Sequence, residues 1–267
     1  MSTIKELMNL RGRRALITGA TGCLGKMMAD TLAELGADLV LVDRPKSDFE
    51  TLCTTLTERW GVNVEHYFCD LELQEQRKEL IALLKSEGKG LNILINNAAF
   101  VGTSDLQGWA VPFEEQTVET WRRALEVNLT AIFDLCQGLM SLLKAAEGAS
   151  IINIASIYGV YGPDWSLYEG TSMSNPAAYG VSKGGLIQFT RWLATTIAPS
   201  VRVNAISPSG VFRNQPEAFV QRYKAKTPLG RMATEDDFRG VVAYLASDMS
   251  KYVAGQNIAV DGGWGVW

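Results

Sequence analysis

The chain of 267 residues has a single histidine, His66. That scarcity excludes a His-rich metal site and leaves no basis for a Ser-His-Asp triad, so no bound metal is expected. The four cysteines, Cys23, Cys53, Cys69 and Cys136, are scattered and form no CxxC pair. They are expected as reduced thiols of a cytoplasmic protein, not as disulfides or metal ligands. No run of Lys or Arg occurs and the net charge is −4, which gives nucleic acid no electrostatic foothold. The apolar runs are short and interrupted, far below the roughly 20 residues a membrane-spanning helix needs. The opening MSTIKELMNLRGRR has no apolar core and no small-residue cleavage site, so no secretion signal is expected.

Hydrophobic residues make up 47% and charged residues 20% of the chain, an ordinary balance for a sizeable core. The length suits one domain spanning 1–267, with no repeat or linker to divide it. Short apolar runs alternate with amphipathic stretches. The runs predict strands at Arg14–Thr18, Asp38–Asp43, Glu65–Cys69, Asn92–Asn96, Ile151–Ala155, Arg202–Ile206 and Asn257–Val260. Several carry consecutive apolar, β-branched residues, as strands buried on both faces of a parallel sheet do. Between them, Leu24, Met27, Met28, Leu32 and Leu35 share a helical face. A longer helix is expected from about Val118 to Ala146, and another over Thr234–Ser247 opens with a capping-type Thr234-x-x-Asp237. Strand alternating with helix predicts an α/β doubly wound parallel sheet in three layers, α/β/α, with working loops at the strand C-terminal ends.

The first predicted strand runs into Thr18-Gly19-Ala20-Thr21-Gly22-Cys23-Leu24-Gly25 and then a helix. Glycines there permit a tight turn and close approach of a pyrophosphate, and the helix N-terminus supplies free N–H groups. Gly19, Thr21, Gly22, Cys23, Leu24 and Gly25 are therefore candidate cofactor contacts. The second strand ends at Asp43, 18 residues beyond Gly25. A carboxylate at that place accepts from both ribose hydroxyls of NAD and repels the extra phosphate of NADP. Arg44 follows at once and offers that phosphate a partner, so NAD(H) is expected and NADP(H) stays the alternative. Asp70 and Leu71 follow the third strand, within reach of an adenine. Asn97, Ala98 and Ala99 follow the fourth, where small residues let the chain pass close to adenosine.

Tyr179 and Lys183 in YGVSK are four residues apart at an expected helix start, with Asn175 as N-cap and Pro176 at the first helical position. Four-residue spacing puts both side chains on one face. An ammonium beside a phenol stabilises the phenolate and lowers its pKa from about 10. Such a tyrosine exchanges a proton with a substrate oxygen while hydride moves to or from a nicotinamide.

Together, TGATGCLG, Asp43, NNAA, Asn128, Ser156, YGVSK and the late VDGG resemble the short-chain dehydrogenase/reductase family, in order and over nearly the whole chain. The resemblance implies a Rossmann fold and a hydride-transferring oxidoreductase. It implies Tyr179 as acid/base, with Lys183 lowering its pKa and holding the nicotinamide ribose. Ser156 would bond the substrate oxygen, and Asn128 would help position a relay water. Pro208, Gly210 and Val211 correspond to the family's proline-glycine motif beside the nicotinamide. Many relatives are tetramers or dimers, so a homotetramer or homodimer is the implied assembly. Trp264 and Trp267 suit such a contact or a cap on the pocket.

Three departures stand out. TGxxGxxG replaces the usual TGxxxGxG, with Cys23 at the middle glycine. Arg213 stands where a threonine often grips the carboxamide. Ser156 and Tyr179 are 23 residues apart, so an insertion separates them. Its Tyr158, Tyr161, Trp165 and Tyr168, mixed with Asp164, Glu169 and Thr171, suit stacking and hydrogen bonding to a polyhydroxylated ring, or packing within the loop or on a neighbouring subunit. Tyr158, Tyr168, Arg213 and Ser156 are the candidate substrate contacts. The insertion, FRNQP at 212–216 and the terminal DGGWGVW resemble a subgroup associated with bacterial surface-sugar (nonulosonic acid) biosynthesis. The expected activity is NAD(H)-linked hydride transfer on a sugar, sugar acid or sugar derivative. The alternatives are a 3-oxoacyl or small-alcohol/ketone reductase, which predicts an open apolar groove, and a non-catalytic NAD-binding protein.

Overall fold

The computed structural model describes residues 1–102 and 104–267. After a short helix α1 (Ile4–Met8), the chain forms β1 (Arg14–Thr18), α2 (Cys23–Glu34), β2 (Asp38–Asp43), α3 (Glu50–Trp60), β3 (Val64–Phe68), α4 (Gln74–Ser86) and β4 (Ile93–Asn96). It continues through α5 (Val118–Leu125), α6 (Ala131–Gly138), α7 (Met140–Ala145), β5 (Ser150–Ile154), α8 (Ala177–Ile197), β6 (Arg202–Pro208), α9 (Glu217–Lys226), α10 (Arg239–Ala246) and β7 (Asn257–Val260). All seven strands are parallel, in the order β3-β2-β1-β4-β5-β6-β7. The order reverses between β1 and β4, and at such a switch point a crevice opens outside the strand C-termini.

The consecutive apolar residues of the central strands are explained by the two faces they fill. In β1, Ala15 and Ile17 pack with α2, α3 and α10, while Leu16 faces the other side. In β2, Leu39 and Leu41 join the first core, and Val40 and Val42 the second, with α4, α6, α7 and α8. The result is the expected three-layer Rossmann architecture.

Three expected elements differ in detail. The long helix from Val118 is continuous only to Gly138, and it contains a π turn over Glu126–Thr130. Leu139 then leaves helical geometry before α7. The Thr234–Asp237 capping box is present, but it opens a 3-10 turn over Glu235–Phe238 that precedes α10. At α8, Pro176 is the N-cap and Ala177 the first helical residue. Asn175 therefore does not cap this helix. Instead the Gln116 side chain, from the loop before α5, accepts from the Ala177 N–H at 3.1 Å. Among the described residues no helix is long and apolar enough to cross a membrane.

Candidate active site

The glycine-rich turn leaves β1 and enters α2 at Gly22, whose cap position has no side-chain hydrogen bond. The first N–H groups of α2 thus face outward without a side-chain acceptor, and they carry the positive end of the helix dipole. Gly22 and Cys23 are exposed there, whereas Gly25 is buried. A Cβ on Gly25 would lie 2.1 Å from the Gly19 carbonyl oxygen and 2.8 Å from the Ala20 Cα. Only hydrogen fits where α2 presses onto the loop, and that contact aims the helix end at the crevice. On the other side, Asp43 accepts from the Thr21 N–H at 2.9 Å and the Thr21 hydroxyl at 2.6 Å. Its second oxygen accepts from the Arg44 N–H at 2.8 Å. Arg44 itself is exposed beside it.

Asn97 binds the β1 loop to β4. Its amide donates to the carbonyls of Thr18 and Gly19 at 3.0 and 3.1 Å. The Thr18 hydroxyl accepts from the N–H groups of Asn97 and Ala98. Ala98 and Ala99 stay half-buried at the crevice floor, and Leu71 is buried. Asp70 is occupied locally: one oxygen accepts from the Glu72 N–H, and its own N–H donates to Gln76. An uncapped helix end, a carboxylate at the end of β2 and a narrow small-residue floor fit a dinucleotide with its pyrophosphate at α2.

The catalytic candidates converge at the start of α8. The Lys183 ammonium is buried, donates to the Ile154 carbonyl at 2.7 Å, and lies 5.9 Å from the centre of the Tyr179 ring. Burial alone pushes its pKa down to about 8. Tyr179 is half-buried against Trp109, Ala124 and Ala178. Burial raises its phenol above the ordinary value, and a hydrogen bond with the Ser156 hydroxyl partly offsets the rise. The sequence led us to expect a phenol lowered by Lys183. Desolvation dominates instead. Ser156 also accepts from the Tyr158 N–H at 3.2 Å, which fixes its hydroxyl. The chain then passes over α8 at Gly159, where a Cβ would lie 2.6 Å from the Lys183 backbone carbon.

Asn128 is brought to the same place. It sits in the π turn, accepts from the Phe100 N–H at 2.7 Å, and donates to the Phe100 carbonyl at 3.0 Å and the Ser182 hydroxyl at 3.1 Å. Ser182 in turn donates to the Tyr179 carbonyl at 2.8 Å. Both amide hydrogens are committed to protein, so this side chain braces the loop after β4 against the catalytic turn.

After β6, Pro208 is buried at the strand end, while Gly210 and Val211 border the crevice. The Gly210 N–H donates to the Tyr223 hydroxyl at 2.6 Å, and Tyr223 stacks on Trp264 at 4.5 Å. Arg213 pairs with Glu235 at 2.6 Å and donates to the Phe212 carbonyl. Tyr158 and Tyr168 do meet, hydroxyl to hydroxyl at 2.7 Å. Two polar groups of the insertion are engaged locally, while Glu169 is exposed: Asp164 accepts from Ser166 and pairs with Lys226, and Thr171 bonds Tyr168 and Met173. Sequence reading missed Gln116 and Tyr223, whose roles depend on contacts between distant segments and carry no local motif.

The fold and this constellation define a dinucleotide-binding oxidoreductase. Residues 19–265 match the family model described as Enoyl-(Acyl carrier protein) reductase. The chain belongs to the short-chain dehydrogenase/reductase family. It is 33% identical over 266 residues to a tropinone reductase homolog of Arabidopsis thaliana, covering 97% of this chain and 94% of that one. A short chain dehydrogenase from Leptospira borgpetersenii with bound NAD+ superposes with a TM-score of 0.83 at 33% identity, covering 99% of this chain and 96% of that one. A gluconate 5-dehydrogenase from Burkholderia cenocepacia in complex with NADP and tartrate gives a TM-score of 0.87 at 26% identity, covering 99% and 100%.

Proposed function

We propose that residues 1–267 act as one domain that interconverts a secondary alcohol and a ketone, with NAD(H) preferred over NADP(H). The observation carrying this is the convergence of the Tyr179 phenol, the Ser156 hydroxyl and the Lys183 ammonium beside the uncapped start of α2. A bound nicotinamide supplies the hydride for ketone reduction and takes it back in alcohol oxidation. The protein's share is one proton and its placement. In reduction, the Tyr179 hydroxyl gives its proton to the substrate oxygen as the carbonyl carbon gains two electrons. The Ser156 hydroxyl donates to the same oxygen and holds the carbonyl in line. Lys183 supports the developing phenolate with its charge. The Asp43 carboxylate supports the NAD preference by accepting from a ribose diol and repelling a phosphate.

The test is NADH- and NADPH-linked turnover of a ketone panel by wild type and Tyr179→Phe. Loss of a positioned acid lowers kcat by about 10²- to 10⁴-fold, while NADH binding followed by fluorescence persists. Native kinetics in the variant would refute the assignment.

A second reading, a dehydrogenase of sugars or sugar acids and in its narrowest form one of the nonulosonic acid branch, is favoured by similarity to the Burkholderia gluconate 5-dehydrogenase. Its footing in the insertion is weaker, because Asp164 and Thr171 are engaged internally. NAD-linked oxidation of gluconate with kcat/KM above that of simple secondary alcohols would establish it. A homodimer or homotetramer completes the proposal, supported by the exposed Phe133 and Trp192 flanking Phe189 on α6 and α8. Four free thiols fit a cytoplasmic setting.

A further inference from the structure

The turn that leaves β3 is fastened from several sides. Cys69, at its start, donates its N–H to the Asp43 carbonyl at 2.8 Å, so the turn begins beside the end of β2. The Asp70 N–H donates to the Gln76 side chain at 2.7 Å. Glu72 takes a forked pair of hydrogen bonds from Arg123 of α5, at 2.6 and 3.0 Å. Between them, Leu71 is buried in the core that Ala98 packs against, and its carbonyl accepts from Arg77 of α4 at 2.5 Å.

Arg77 is charged, yet only 1% of it is exposed. A buried guanidinium is tolerated when its charge is matched and its donors are used. Here each of its three nitrogens meets a different element. Nη1 donates to the Leu71 carbonyl, Nε donates to Asp134 of α6 at 2.8 Å, and Nη2 pairs with Glu126 at 2.7 Å. Glu126 opens the π turn whose Asn128 holds Phe100 and Ser182. The two carboxylates match the charge, and the third contact adds position. It ties the turn after β3 to α6 and to the block that carries the catalytic turn. A planar fork serves three directions at once, whereas an ammonium is a single point.

We propose that Arg77 is a positioning residue for the adenine end of the cofactor. It holds the Asp70–Leu71 turn in place against the π turn and α6, so that adenine meets a wall already formed. Ordering that wall before binding spares the complex the cost of ordering it. The inference rests on the dinucleotide-binding reading above and adds a residue buried too deeply to touch cofactor or substrate.

The experiment compares wild type and Arg77→Lys in binding NADH and reduced nicotinamide mononucleotide, which lacks the adenylate half. Both are followed by fluorescence titration of the full chain. Lysine keeps a positive charge between the two carboxylates and gives up the fork. A hydrogen bond from a charged group corresponds to roughly 10- to 100-fold in an equilibrium constant. NADH binding is therefore expected to weaken by about tenfold or more, with mononucleotide binding changed less than about threefold. A merely structural tie would loosen the whole site and weaken both ligands alike. That outcome, or unchanged NADH binding, overturns the proposal. Asp134→Ala keeps the test decisive if Arg77→Lys does not fold, because it removes one half-buried anchor and leaves Arg77 in place. It is expected to shift the ratio of the two affinities in the same direction, by about threefold. An unchanged ratio there also overturns the proposal. The readout is binding, so NADH binding without turnover of any ketone refutes hydride transfer alone and leaves Arg77 to be judged on the ratio. A wild type that binds neither ligand refutes the dinucleotide reading and the Arg77 assignment together.

Discussion

The Lys183 ammonium lies 5.9 Å from the centre of the Tyr179 ring and donates at 2.7 Å to the Ile154 carbonyl, the last residue of β5. One strand end thus positions the cation, and one helical turn positions the phenol over it. Ser156, two residues beyond the same strand, offsets part of the rise that burial imposes on the phenol. The pair is fixed by backbone before any substrate arrives, and preorganised charge of this kind is what lowers a transition-state barrier.

The first prediction concerns pH. Burial holds the Tyr179 phenol above its ordinary value, and the Ser156 bond offsets this only in part. At neutral pH the group is therefore in its acid form, the form ketone reduction needs. Reductive kcat should stay flat from pH 6 to 8. Alcohol oxidation needs the phenolate, so its kcat should climb by about tenfold per pH unit over the same range. Parallel profiles for the two directions would show that another group carries the proton.

A second prediction follows from the cost of burying Lys183. Its pKa falls from 10.5 to about 8 in the folded chain. Below pH 8 both folded and unfolded chains carry the proton, and the burial penalty is fully present. Between about 8 and 10.5 the unfolded chain binds more protons, so stability from this group rises with pH. Lys183→Met removes that dependence. The Tm difference, variant minus wild type, should be largest below pH 8 and decline steadily toward pH 10. A difference constant with pH would place the folded pKa near its ordinary value.

Asp43 carries the third. Its carboxylate takes two hydrogen bonds from Thr21 and still borders the crevice. Asp43→Ser removes the acceptor for a ribose diol and the charge that repels a phosphate, while exposed Arg44 stays in place. Hydrogen bonds to a charged group contribute about 1.5–3 kcal/mol, so NADH should bind about 10- to 100-fold more weakly, and NADPH should weaken less or tighten. Fluorescence titration with both cofactors gives the ratio. Thr21→Val separates the loop contact from the ribose contact, because a loop effect weakens both cofactors alike. A wild-type preference for NADPH would remove the selecting role from Asp43.

Much of this architecture was legible where local sequence and global fold agree. Arg14–Thr18 and Asp38–Asp43 coincide with their strands, because parallel strands buried on both faces carry consecutive apolar residues, and Asn257–Val260 coincides with the edge strand β7. The glycine turn and YGVSK were legible because each needs a particular residue at a particular spacing. Contacts between distant segments were not. Gln116 reaches 61 residues forward to the Ala177 N–H, and that partner displaces Asn175 from the capping role its local context suggested. The direction of the Tyr179 shift also escaped, since spacing reports the neighbour at position 183 but not the depth of burial. Asp164 and Thr171 misled for a related reason: polar residues in an insertion read as ligand contacts until their internal partners are seen.

The fourth prediction uses two glycines three residues apart in the same loop. At Gly25, an added methyl meets the Gly19 carbonyl oxygen at 2.1 Å and the Ala20 Cα at 2.8 Å, both backbone atoms. Neither can move without shifting α2 away from β1, where Met28 and Leu32 anchor the first core. At Gly22, the nearest atom is the same oxygen at 3.3 Å, a gap that a few tenths of an ångström relieves, and φ is −69°. Overpacking a rigid site costs about 1–3 kcal/mol or more. Gly25→Ala should therefore lower Tm by roughly 4–10 °C, scaling that cost for a chain of this size, and weaken NADH binding at least tenfold. Gly22→Ala should keep a Tm within about 2 °C of wild type by the same scaling. Thermal unfolding with and without NADH distinguishes the two effects. If Gly25→Ala instead binds NADH normally at native Tm, the tight seat of α2 on the loop is not what aims its N-terminus at the pyrophosphate. The exposed N–H groups beyond Gly22 would then have to find that direction on their own.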